Sequence, residues 1–354
     1  MNEVNVFRNW ALNIISSLSF LVSSSSFASN VVHGQIAIFQ DTNPISIEVV
    51  LPEFSGGVLQ NKLIHFAKLP ENIKSDNKGC FCFDLNDERF AFVHTYYYAT
   101  KALEYYNAVF LKLGLPLLHD LEINLSKDVS LPTTGGYATI KTMVLAYPRP
   151  ALDISILAHE IGHFVHFNAA GQEIFGNADG KTNMEGVQNL GIHEGTANLL
   201  SALFTGSSQI GKAGGFSFDI DNFIRFPDLL ISKREAKVRL LAEPIILQNY
   251  PAFAMKGLKK LKSIDADLIQ SENYALPDPY LSSSVINQPL WRATFQFGIE
   301  RIKLLYIKTI SELRTFSSYS DLANALLKNA KLMNVSLYET LKNDYQVRGL
   351  HLTE

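Results

Sequence analysis

The chain has 354 residues, 47% of them hydrophobic, and a formal net charge of −3. That is enough apolar material for one large or two ordinary domains, which excludes a disordered or stapled mini-protein. The charges are well mixed: no basic stripe points to nucleic acid, no charge block to a solvating tail, and no repeat to a solenoid.

At the N-terminus, Arg8 precedes an apolar run over 11–22, and Ser26-Phe27-Ala28 offers small residues at −3 and −1. This reads as a signal peptide over 1–28, cleaved after Ala28, which sends the mature protein to the periplasm or outside the cell. The run is short and serine-interrupted for a membrane span, and no second long apolar segment follows. No stable membrane insertion is therefore expected.

Residues 34–85 hold short β-rich runs at 35–39, 45–51, 63–67 and 80–85, separated by turn formers such as Asp41-Thr42-Asn43-Pro44 and Ser55-Gly56-Gly57. They predict a mostly antiparallel sheet. Cys80 and Cys82 are the only cysteines and share a face if the segment is a strand. Export permits a disulfide, though so small a ring is strained; two thiols are the alternative, and metal ligation lacks partners at finger-like spacing.

Asn86-Asp87-Glu88 opens a long helix over 88–113, stopped by Gly114 and Pro116. Its aromatic stripe, Phe90 through Tyr97 and Tyr105, fits a core role, and His94 and His119 read as structural or exposed. A strand over 121–125 follows, then a second over 135–145. At a sheet edge, the free N–H and C=O groups around Tyr137 and Ala138 would hold an extended peptide by strand addition; an ordinary paired strand is the alternative.

The next segment reads Ala158-His159-Glu160-Ile161-Gly162-His163. Residues four apart on a helix lie about 40° apart around its axis, so His159 and His163 can offer two imidazole nitrogens to one Zn²⁺. Glu160 can reach a water on that metal as general base. Ile154, Leu157, Ile161, Phe164 and Val165 fall on the opposite arc; Asp153 is the expected N-cap and Gly171 the expected stop. The alternative is an amphipathic helix with two solvated histidines.

A Gly- and Asn-rich loop leads to a second helix, Leu190-Gly191-Ile192-His193-Glu194-Gly195-Thr196-Ala197-Asn198, ending near Gly206. Two histidines leave a zinc site one protein ligand short. Glu194 is the choice for the third and His193 its rival; about 100° separates them on the helix, so one at most faces the metal. Gly195 and Ala197 favour Glu194 by allowing close helix packing. Asn198, one turn on, is placed to orient a ligand histidine. His166 lies about 10 Å along the axis from His159, which suits a cleft or supporting residue better than a ligand. From 207 on the pattern turns helical, at 233–242, 290–313, 319–332 and 336–347.

Together these residues resemble the thermolysin-like, gluzincin class of zinc metallopeptidases. The likeness rests on His159-Glu160-x-x-His163, the later Glu194-Gly195-Thr196-Ala197-Asn198, the helix from Val93-His94-Thr95-Tyr96 through Tyr105-Tyr106, and the C-terminal helices over 291–330. It covers roughly residues 87–345. The pattern of metzincins fits worse, because His166 and Ala169 stand where Gly and His are needed.

The resemblance implies an α+β, zincin-like fold. It would have an N-terminal domain over 29–172 with the active-site helix, and a mostly α-helical C-terminal domain over 173–354 with the third ligand. It implies one zinc ion on His159, His163 and Glu194, Glu160 as base and proton shuttle, and a peptide or protein substrate; calcium is not indicated. Where the family carries an acidic supporting residue this chain has Asn198. Where the family carries an oxyanion-stabilising histidine, Pro277-Asp278-Pro279-Tyr280 supplies Tyr280 as a donor, with Asp278 beside it. These departures motivate the alternative of a secreted, non-catalytic peptide-binding protein on the same scaffold.

Overall fold

The computed structural model describes residues 32–40, 43–52, 58–127, 136–146, 149–171, 184–211, 218–221, 283–313 and 318–353. The signal peptide expected over 1–28, the helix expected over 233–242, and Asp278 and Tyr280 lie outside the described residues.

The chain is mixed α and β. In order it forms β1 (His33–Gln40), β2 (Asn43–Val50), β3 (Ile64–Phe66), β4 (Cys80–Phe81), α1 (Glu88–Leu113), β5 (Leu121–Ser126), β6 (Gly136–Ala138) and β7 (Thr142–Ala146). Then come α2 (Arg149–Leu152), α3 (Ile154–Ala170), α4 (Met184–Thr205), β8 (Gln209–Ile210), β9 (Phe218–Asp219), α5 (Ser284–Phe297), α6 (Ile299–Glu312), α7 (Tyr319–Met333) and α8 (Val335–Val347). No described helix is long and apolar enough to cross a membrane.

The expected mostly antiparallel sheet is corrected to small mixed sheets. β1 and β2 form an antiparallel hairpin, but β4 joins β1 in parallel. The four-stranded sheet runs β3-β5-β7-β6; its first two pairings are parallel and only β6 is antiparallel. For the β3–β5 pair the reason is the long helix. A helical crossover such as α1, between β3 and β5, returns the chain to lay its next strand in the same direction.

The strand expected over 135–145 is likewise a hairpin, β6 and β7. Thr139 makes the turn: its hydroxyl accepts the N–H groups of Lys141 and Thr142, and its own N–H reaches Thr142 O at 2.7 Å. β6 is thereby the sheet edge.

Helix α1 is the pillar. Asp87 caps it by accepting from Arg89 N–H, and Gly114 closes it at φ 67°, a left-handed conformation that glycine adopts without strain. Two of its tyrosines reach across to another helix. The Tyr106 hydroxyl donates to Leu200 O at 2.7 Å and the Tyr105 hydroxyl to Leu203 O at 3.0 Å, so α1 grips the C-terminal turns of α4.

In the C-terminal half, the single helix expected over 290–313 is two, α5 and α6, broken at Gly298, whose φ is 86°. A capping box between Ser318 and Asp321 starts α7, and the Asn334 side chain caps α8. One buried apolar cluster runs from Leu51 and Val93 through Ile161 and Leu199 to Tyr306 and Leu341, joining both halves of the chain.

His94 gives the fold a pH dependence. It is fully buried, its Nδ1 accepts the Ala37 N–H at 3.0 Å, and burial holds its pKa down to about 3. An unfolded histidine protonates near 6.5. The unfolded chain therefore takes the proton first, and the contribution of His94, complete above about pH 6.5, is lost progressively as pH falls toward 3. At about 1.4 kcal/mol per unit this amounts to about 2 kcal/mol by pH 5. His94→Gln, which keeps an acceptor for Ala37, is expected to flatten that fall, measured as urea midpoints at about pH 7 and about pH 5.

Candidate metal centre

Asp153 sets the start of α3: its carboxylate accepts from Ser155 N–H at 2.9 Å and from Ile156 N–H at 3.4 Å. The helix then runs through the core, and its polar arc is buried almost as fully as its apolar one, with His159 9%, Glu160 3% and His163 5% exposed. Helix α4 is what covers that arc. The two helices cross at Gly162, where a Cβ would stand 2.7 Å from Ala197 Cα and 2.9 Å from Ala197 O. Only a hydrogen in that place lets the backbones come so close.

The crossing brings three donors together. His159 Nε2 and His163 Nε2 are 3.0 Å apart, and Glu194 Oε2 lies 3.4 Å from each. Donors bound to one zinc at about 2.1 Å, with tetrahedral angles, stand about 3.4 Å apart. The two edges to Glu194 match that figure, and the edge between the histidines is shorter by about 0.4 Å. His159 Nδ1 donates to Asn198 Oδ1 at 2.8 Å, since an amide oxygen can only accept. That fixes the tautomer and turns the Nε2 lone pair toward the common point.

Charge in the cluster agrees. Burial would raise the Glu194 carboxyl, but the histidine charges and hydrogen bonds outweigh it and hold the group well below the usual range. Burial would lower His159, but the Glu194 hydrogen bond and the charges of Glu160 and Glu194 raise it. Burial pushes Glu160 up, against the pull of the two histidines. Two carboxylates face the imidazole nitrogens, and the side chains lining this cleft among the described residues, His159, Glu160, His163, His193, Glu194 and Asn198 with them, include no lysine or arginine. A dication fits that set.

The cleft over the cluster, about 610 Å³ and open to solvent, is walled by Gly136, Tyr137 and Ala138 on one side and Ile156 and Ile210 on another. Gly136 leaves room for Glu160: a Cβ there would meet Glu160 Oε1 at 3.0 Å and Val144 O at 2.6 Å. Glu160 Oε2 is buried, with no hydrogen-bond partner among the described residues. Tyr137, beside Gly136, is 48% exposed on the edge strand.

His193, the rival third ligand, is not in the donor triangle. Its ring packs tilted on His163, 4.0 Å between centroids, and against Phe167 at 4.9 Å. His166 is fully buried near it, ring centroids 5.5 Å apart, and burial holds its pKa down to about 3. Neither sequence period nor motif pointed to Gly136, Ile156 or Ile210. Asn287 was also missed; its amide donates to Gly195 O at 2.8 Å and, with Ser283, fills the space a Gly195 side chain would need. Such groups come from distant segments and carry no local signal.

No protein-family model matches the chain, and no curated protein matches it. The site therefore rests on its own geometry. Asn198→Ala is expected to weaken zinc binding about 10–100-fold, the usual effect of losing a partner that orients a ligand histidine, as measured by competition with a chromogenic chelator.

Proposed function

We propose that this chain is an exported zinc metallopeptidase of the thermolysin-like kind. The observation that carries the reading is the donor triangle of His159, His163 and Glu194, with edges of 3.0, 3.4 and 3.4 Å, beside a spare carboxylate. A zinc ion held there supplies Lewis acidity toward a scissile carbonyl and lowers the pKa of a bound water.

The chain's own residues do the rest. Glu160 takes the water's proton on its free Oε2 and returns it to the leaving amine; burial in the cleft keeps its proton affinity high enough for both tasks. The β6 edge offers Gly136, Tyr137 and Ala138 as a rail for an extended peptide. Asn198 keeps His159 in the ligating tautomer. Export rests on the run over 11–22 and the Ser26-Phe27-Ala28 cleavage pattern.

The test is turnover. A broad peptide library supplied with zinc is expected to be cleaved, and cleavage should stop with chelator and return with zinc. Zinc bound with no cleavage of any peptide would leave the non-catalytic, peptide-binding reading in its place.

A further inference from the structure

A second cluster of metal-ligating side chains lies away from the cleft, on the sheet of β2, β1 and β4. Cys80 and Cys82 are joined by a disulfide. One ligand atom from each of Glu48, Cys80 and Cys82 lies within 4.8 Å of the others. The sheet assembles the set: β1 pairs Gln35 with Glu48 on one side and His33 with Cys80 on the other. His33 Nδ1 holds the Glu48 carboxylate at 3.0 Å. Glu48 is 32 residues from Cys80 in sequence (80 minus 48), so no finger-like spacing could reveal it.

We propose that Cys80–Cys82 is a reducible bond whose dithiol form, with Glu48, binds a soft divalent cation. Three observations support it. The bond closes a loop over one residue, so it restrains the unfolded chain very little and the fold does not lean on it. Cys80 is held without it, by strand pairing with β1 and by the Asp76 turn, where Asp76 Oδ1 accepts from Cys80 N–H at 2.9 Å and Asp76 N–H donates to Cys80 O at 2.8 Å. Cys82 is partly exposed while Cys80 is buried, so Cys82 is the end of the bond that an attacking thiolate approaches.

An external dithiol supplies the electrons: its thiolate attacks Cys82, the S–S bond breaks, two protons end on Cys80 and Cys82, and the dithiol closes its own disulfide. The Cα atoms are 5.2 Å apart, a separation that suits either the disulfide or two thiolates about 4 Å apart on one ion.

Cadmium is the probe, because thiolate-to-cadmium charge transfer absorbs in the ultraviolet and the His159, His163 and Glu194 donors have no thiolate to contribute. The full chain is reduced with dithiothreitol, desalted under argon and titrated with Cd²⁺. With the His159, His163 and Glu194 site preloaded with zinc before reduction, one equivalent is expected to saturate the band, with the aromatic near-ultraviolet circular dichroism retained on reduction. The unreduced chain and a Cys80→Ser, Cys82→Ser double variant should give no band. Glu48→Gln should weaken binding at least about tenfold. The proposal is overturned if the reduced chain gives no band, if Glu48→Gln binds as tightly as the parent, if reduction collapses the near-ultraviolet signal, or if the bond resists excess dithiol.

Discussion

Glu160→Gln is expected to keep the metal and lose the chemistry. Glutamine matches glutamate in shape, and Glu160 is not a corner of the donor triangle, so zinc content should hold. What goes is the ability to accept a proton. Removing a positioned general base lowers rates about 10²–10⁴-fold, or about 3–5.5 kcal/mol of barrier. The environment points toward the upper end. Glu160 is 3% exposed, its carboxyl is pushed up by burial, and Oε2 has no competing partner among the described residues. The measurement is kcat/KM on a peptide the parent cleaves, with zinc stoichiometry read in parallel. Unchanged turnover would sink Glu160 as the base; lost zinc would mean that its carboxylate is itself a ligand.

Much of this site was legible in the sequence, because helical chemistry is local. Asp153 as cap, Gly171 as stop, and His159 and His163 one turn apart all follow from 3.6 residues per turn. The same holds for α1, whose cap Asp87 and stop Gly114 stand at either end of residues 88–113. Glu194 rather than His193 lies 3.4 Å from both imidazoles, and the small neighbours stand differently from what close packing of that helix face predicted. Ala197 does meet Gly162 across the crossing, but Gly195 faces the other way, toward Asn287 of α5 and Ser283 just before it.

Strand partnership was less legible. A run such as 35–39 states its own period but not its neighbour's direction, and only the crossover through α1 explains why β5 lies parallel to β3. Thr139 hid a turn inside a β-rich run, because a threonine hydroxyl can replace backbone hydrogen bonds without any glycine or proline to mark the place. Gly298 went unread as a break for the opposite reason: a single glycine within a helical pattern is usually tolerated.

Gly162→Val is expected to be the most disruptive single change in the donor set's support, although Gly162 binds nothing. In an open helix, replacing glycine should stabilise by a few tenths of a kcal/mol to about 1 kcal/mol. Here the new Cβ would lie 2.7 Å from Ala197 Cα and 2.9 Å from Ala197 O. Both are backbone atoms of a buried helix and cannot swing aside, so α3 and α4 must separate. Overpacking of this kind costs about 1–3 kcal/mol, and the branched side chain places it at the upper end, well above the propensity gain. For a domain this large that is a fall in Tm of roughly 3–5 °C. The functional loss should be larger, because separation acts on the triangle's longest edges: Glu194 Oε2 recedes from both imidazoles, while the 3.0 Å His159–His163 edge, internal to α3, survives. A misplacement of about 1 Å costs on the order of 100-fold in rate. Zinc affinity, Tm and kcat/KM should therefore fall together in Gly162→Val, with Gly162→Ala intermediate. A Gly162→Val variant that melts lower yet binds zinc as the parent does would show that Glu194 is not held in place by this crossing.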